Sequence, residues 1–198
     1  MFKVIVIGAL LAVLIFFIIR RLGFMSSSTT SYIQSSEWME LRLDNATLKR
    51  IVKQVLLSVG IGFIIFILIL LVASKFRIAL ILLPISFYLI GQYFILINHI
   101  KASRKHKLFF HKDLNEVKVH TKGKEDVHFQ LDKDMVQLSE VQAVQKNSGL
   151  LLGYYEIRVG RAKVYISYLQ KENRQNRLFF DRLQQLPREI ETKLFPVI

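Results

Sequence analysis

The 198-residue chain has no cysteine, which rules out disulfides, thiolate metal sites and cysteine nucleophiles and leaves the compartment open. Only three prolines interrupt it, so long regular elements are allowed. Acidic residues are scarce, 15 against 28 Lys and Arg, giving a formal net charge of +13. Such an excess favours an anionic partner, either lipid headgroups or nucleic acid. Charge of either sign is missing from three stretches of the first hundred residues: Val4 to Ile19, Val55 to Ala73 and Ile78 to Ile97. A membrane-crossing helix needs roughly 20 apolar residues, with about 17 as a lower limit. The second and third stretches meet that length, and the first does if Phe2 joins it and Lys3 snorkels to the surface. The alternative, buried helices of a soluble core, fails on size, because the rest of the chain is too short to wrap them.

Directly after the first stretch stand Arg20 and Arg21, where a cleavage site would carry small neutral residues. Residues 1–21 therefore read as a retained signal anchor instead of a removed signal peptide. The more basic side of a membrane protein faces the cytoplasm. With sides alternating, Lys3, Lys75 and Arg77 fall on one side. Eleven basic residues of the 20–54 loop and the segment after helix three fall on the other. This arrangement predicts an external N-terminus and a cytoplasmic C-terminal region.

Residues 22–50 hold a Ser-rich linker, Ser26 to Ser31, and then a segment with helical spacing of Trp38, Leu41, Leu48 and Val52. Two readings are open for 36–54: a helix lying in the membrane interface with Trp38 at headgroup depth, or an extension of helix two after a break at Asp44-Asn45. Residues 51–100 read as a tight hairpin of helices two and three turned at Ser74 to Arg77. Gly60 and Gly62 allow close approach, Pro84 predicts a kink, and Gln92 needs a partner on a neighbouring helix or its own backbone. The spans lack the ionisable groups that transport pathways use, which argues against a pump or an ion carrier.

After Arg104 the apolar period changes from helical to two. Strands are predicted at 108–111, 116–121, 127–131, 136–144 (with a bulge near Ser139), 155–159 and 162–168. Turns are marked by Asp113-Leu114-Asn115, Lys122-Gly123 and Gly160-Arg161. A final helix carries Leu178, Phe179, Leu183 and Leu186 on one face, and Pro187 is placed to start a short second one. A one-sided sheet must cover its apolar face, and that helix is the available cover.

This order of strands and closing helix resembles the bacterial membrane-anchored PH-like (pleckstrin-homology-like) proteins over about residues 50–186. The resemblance rests on Val136-Gln-Leu-Ser-Glu-Val141, on the Gly160-Arg161 hairpin and on the closing helix Asn176-Arg-Leu-Phe-Phe-Asp-Arg-Leu183. It implies an α+β fold, an antiparallel barrel plugged by its C-terminal helix and preceded by a membrane hairpin; the first helix and the Ser-rich linker lie outside it. Together with the three uncharged stretches, the expectation is an anchor of three transmembrane helices followed by a PH-like domain over residues 101–198. The resemblance implies a scaffold or interaction module without catalytic residues or cofactors.

Few residues suggest chemistry. His120 and His128 could share one side of adjacent strands and bind zinc, although exposed strand histidines read the same way. No nucleophile–base pair stands out, and His99, His106 and Tyr93 are the residues an enzyme reading would use. Residues 101–198 carry 19 basic and 12 acidic side chains, and interspersed acids beside a membrane tether favour lipid over nucleic acid. Candidate lipid contacts are Trp38, Lys101, Arg104, Lys105, Lys107, Lys112, Lys122 and Lys124; the basic residues equally serve topology alone. Leu150-Leu151-Leu152 is either an exposed tip that docks on a partner or a buried strand start. The functional expectation is a non-catalytic accessory subunit of a membrane complex, with a lipid sensor and a membrane enzyme as alternatives.

Overall fold

The computed structural model describes residues 37–121, 123, 125–132, 134, 136–146 and 150–198. The expected first transmembrane helix (1–21), the Ser-rich linker, Lys122 and Lys124 lie outside the described residues.

Two long helices form the hairpin. Helix α1 (Asn45–Ala73) starts where the Asp44 carboxylate accepts the backbone N–H groups of Ala46 and Thr47, satisfying donors that the first turn leaves open. At 29 residues it is about 44 Å long, more than a bilayer core requires. It ends at Ser74, whose hydroxyl donates to the Leu71 carbonyl. A 3₁₀ turn (Arg77–Leu82) then leads into α2 (Leu83–Lys105). Pro84 lies in the first turn of α2, where a missing N–H is harmless, so it opens the helix and does not kink it. The helices close on each other at Gly62: a Cβ there would sit 2.7 Å from the Leu89 Cβ. Gln92 is buried, yet its side-chain nitrogen has no hydrogen-bond partner among the described residues, contrary to the sequence expectation.

Among the described residues eight strands form two sheets. The first has the order β1 (Trp38–Glu40), β2 (His106–His111), β3 (Glu116–Thr121), β4 (Val127–Gln130), all antiparallel. The second has the order β7 (Ala162–Ser167), β6 (Gly153–Val159), β5 (Val136–Ala143), β8 (Arg188–Lys193). Strand β5 pairs with β6 in unbroken register past Ser139, so the expected bulge is absent. Among the described residues the two sheets are separate and do not close into the expected barrel. They share one core: Leu108, Phe110, Val117 and Phe129 from the first meet Leu138, Tyr155, Ile157 and Ile166 from the second. Short helices α3 (Tyr168–Lys171) and α4 (Arg177–Gln185) follow β7. Helix α4 inserts Phe179, Phe180 and Leu183, and turns Leu178 out to solvent.

Two segments expected to be helical are strands. Residues 38–40 pair with β2, burying Met39, so the interfacial-helix reading fails and helix two begins after the break at Asp44. After Pro187, the Arg-Glu-Ile-Glu-Thr-Lys run becomes β8, parallel to β5. The sheet unit therefore draws on residues before the hairpin as well as after it.

Strand register fixes which ends of the sheets carry the hairpin. Trp38 lies opposite His111 and Glu40 opposite Phe109, so β1 runs toward the start of β2. It passes into α1 there, where α2 has just ended, and both helices leave from one end. Ser167, at the end of β7, hydrogen-bonds α2 through His99 and puts the corresponding end of the second sheet on the same side. The sheet unit thus has a hairpin end and, opposite it, a far end.

Candidate functional site

At the hairpin end, buried polar groups fasten the sheets to the helices. His99 of α2 is fully buried. Its Nε2 lies 2.7 Å from the Pro196 carbonyl and its Nδ1 lies 2.8 Å from the Ser167 hydroxyl. A carbonyl only accepts, so Nε2 carries the proton. The Ser167 oxygen already accepts the Leu169 N–H at 3.2 Å, which leaves its own proton for Nδ1. Both ring nitrogens are thereby satisfied in the neutral imidazole, and neither faces solvent. Next to it, the Asn98 side chain donates to the Ile198 carbonyl at 3.1 Å and accepts the Ile198 N–H at 2.8 Å. A second clasp uses amides: Gln170, Asn173 and Asn176 donate to the carbonyls of Leu41 and Arg42, fixing the crossing from β1 to α1. Arg50 of α1 adds an exposed ion pair to Glu172 at 3.1 Å.

Basic residues stand at the end of α2 and the start of β2. Lys101, Arg104, Lys105 and Lys107 are exposed at the hairpin end. Trp38 and Lys112 are not with them. Trp38 is in β1 and packs edge-on against His111, their ring centres 5.1 Å apart. Lys112 follows His111. Both sit at the far end, one six-residue strand away from the hairpin, or about 20 Å. Leu150, Leu151 and Leu152 form no exposed tip: Leu150 and Leu152 are buried, Leu151 packs against the core, and the Leu152 carbonyl accepts from Ala143. Three apolar residues in a row are placed by the sheet they enter, and here β6 draws them inward.

The histidines expected as metal candidates are engaged separately. His120 Nδ1 is 2.6 Å from Asp126, and that hydrogen bond holds the Asp126 carboxyl below the usual carboxylate range. His128 lies 3.8 Å from Glu116 instead. Among the described residues no three His, Asp or Glu side chains converge on one point. His106 bonds the Thr121 hydroxyl at 2.7 Å, and Tyr93 is buried.

Between the two ends lies Glu140, in the apolar-x-x-Glu element of β5. It is buried, accepts the Tyr168 hydroxyl proton, and forms an ion pair with Arg188 of β8 at 2.5 Å. Burial, and then the bond to Glu140, push the Tyr168 phenol well above its ordinary range. Glu140 thus joins α3 to the edge strand. The sequence pattern assigns it no role beyond its place in the strand motif; an acid on the same strand face as Leu138 is the one local signal of a buried ion pair.

The far end opens a cleft of about 560 Å³ between the starts of β5 and β8 and the end of β6. Most of its lining is polar or charged, from Gln137, Ser139, Arg158, Arg188 and Glu189, with Val136, Leu138 and Pro187 supplying the apolar part. Arg158 is held in place by Glu156 at 2.5 Å.

The described residues thus define a mixed α+β protein: two helices long and apolar enough to cross a membrane, joined to two four-stranded sheets. No family model matches the chain, and no curated protein or solved structure is similar to it at a significant level.

Proposed function

We propose that this chain is a non-catalytic scaffold subunit of a bacterial inner-membrane protein assembly, built on a PH-like pattern with its sheet unit in the cytoplasm. The observation that carries the reading is the fastening of sheets to hairpin through His99, Asn98 and the amide clasp. Rigid attachment sets the far-end cleft at a fixed height above the bilayer, as presenting a surface to another membrane protein requires. The hairpin's exposure supports the membrane: only 28% and 33% of its most apolar windows are buried, whereas a core helix would be mostly covered. The basic bias toward the sheet side supports the orientation. A lining that mixes apolar and hydrogen-bonding groups and sets Glu189 beside Arg158 and Arg188 suits a protein segment better than an anionic headgroup, so the cleft replaces Leu150 to Leu152 as the docking surface. Photo-crosslinkers at Gln137 and Glu189 of the full chain, in native membranes, should give a discrete protein adduct that one at Lys118 does not. No adduct from either cleft position, with membrane complexes intact on deletion of the chain, would overturn the proposal.

The exposed cluster Lys101, Arg104, Lys105 and Lys107 favours a second reading, contact with anionic headgroups at about 1 kcal/mol per basic residue near the surface. In that case the full chain should retain anionic lipid in gentle detergent, and exchanging all four for Gln should abolish the retention. Equal retention by the Gln variant would sink it.

A further inference from the structure

Large apolar side chains exposed to the surroundings concentrate in residues 57–94, the body of the hairpin. Elsewhere in the described chain there are only seven, and three of them, Leu194, Phe195 and Val197, fall in one stretch of four residues. The sequence changes abruptly there, from Arg-Glu-Ile-Glu-Thr-Lys in β8 to Leu-Phe-Pro-Val-Ile.

We propose that residues 194–198 form a second, non-helical membrane contact, a short loop immersed among lipid acyl chains beside α2. The proposal rests on the reading of the hairpin as membrane-spanning and adds to it a segment that neither length nor hydropathy would nominate.

Depth is the first argument. The Phe195 ring lies 5.6 Å from that of Tyr88, and a Cβ on Gly91 would come within 3.2 Å of it. Gly91 is six residues before Ile97, the end of the uncharged run, so Phe195 lies about 9 Å inside that end along the helix. Lipid-contacting segments that lie on a membrane without crossing it bury their apolar side roughly 5–10 Å deep. The chain then returns, since Ile198 pairs with Asn98, one residue beyond the run. Lys193 precedes the loop on the sheet side, where its ammonium can stay in the headgroup layer.

The hydrogen bonds of residues 195–198 are the second, independent argument. Irregular backbone is tolerated in hydrocarbon only when its N–H and C=O groups find protein partners. Pro196 has no N–H, and its carbonyl accepts from buried His99. The Val197 N–H donates to the Phe195 carbonyl at 3.0 Å. Both backbone groups of Ile198 are taken by Asn98. These bonds tie the Pro196 and Ile198 backbone to the protein while Val197 stays turned outward, an arrangement suited to a solvent that cannot hydrogen-bond.

The absence of cysteine makes the test clean. Single-cysteine variants of the full chain, Leu194→Cys and Val197→Cys, would be labelled with an environment-sensitive fluorophore and reconstituted in phosphatidylcholine–phosphatidylglycerol vesicles. Ile64→Cys on the exposed flank of α1 and Leu114→Cys at the far end are the references. Only samples whose Trp38 emission matches the unlabelled protein are scored. The expected result is quenching of both loop labels by acyl-chain nitroxide lipids as strong as at Ile64 and several-fold stronger than at Leu114, with little quenching by aqueous iodide. Quenching at Ile64 but not at 194 and 197 would overturn the loop and leave the hairpin reading standing, whether iodide reaches the loop or a protein shields it. Loss of lipid quenching at Ile64 as well would overturn both.

Discussion

The two ends of the sheet unit are built from opposite materials. At the hairpin end, polar side chains are engaged within the chain: His99 with Ser167 and Pro196, Asn98 with Ile198, and Asn173 and Asn176 with Arg42. At the far end a cleft opens onto the surroundings, with Gln137 and Ser139 presented to it. One end is spent on attachment and the other is left available for recognition. That division places the candidate site away from the basic cluster, which composition alone would have chosen.

The largest effect should come from breaking the link between the ends. Replacing Glu140 by Ala leaves Arg188 without its counter-charge and Tyr168 without its acceptor, and should destabilise the sheet unit by about 3 kcal/mol. Urea unfolding of the full chain in mild detergent, followed by near-ultraviolet circular dichroism, reads this directly; an unchanged midpoint would mean that β8 is held by its backbone alone. His99→Phe keeps the ring shape but orphans the Pro196 carbonyl and the Ser167 hydroxyl, an expected loss of about 1–3 kcal/mol. Its hydrogen-exchange signature should be confined to the hairpin end, and acceleration in β5 around Val136 would contradict the separation of the two ends. The smallest effects sharpen the contrast within the hairpin. Gly62→Ala pushes a methyl group into Leu89 and should cost about 1–3 kcal/mol in thermal unfolding. Gly60→Ala meets nothing within 4 Å and should be neutral or up to about 1 kcal/mol more stable.

The elements legible in the sequence were those whose cause is local. Uncharged runs marked α1 and α2, and period-two alternation marked β3, β6 and β7, because burial on one side of a strand imprints itself on neighbouring residues. Strands β1 and β8 escaped because their identity comes from distant partners: Trp38 to Glu40 is a strand only against β2, and Arg188 to Lys193 only against β5. Each is short and carries helix-compatible residues, so local propensity pointed the wrong way. The same holds for the candidate site. Lys101, Arg104, Lys105 and Lys107 stand together in the sequence and at the hairpin end, whereas Trp38 and Lys112, grouped with them by composition, lie at the far end, which only register reveals. Asn98 and His99 gave no pattern at all, since a single residue meeting a chain segment a hundred positions away leaves no periodic trace.

Strands β1 and β2 lie side by side, yet the whole hairpin, residues 41–105, intervenes between them in the chain. A ribosome therefore delivers the first edge of the sheet before either helix and the rest after both. The first sheet cannot be completed until the hairpin has folded back on itself. Anyone cutting the chain at residue 101 to obtain a soluble piece would remove Met39 and Leu41 from the core and bare the β2 edge, leaving a fragment inclined to associate through that edge.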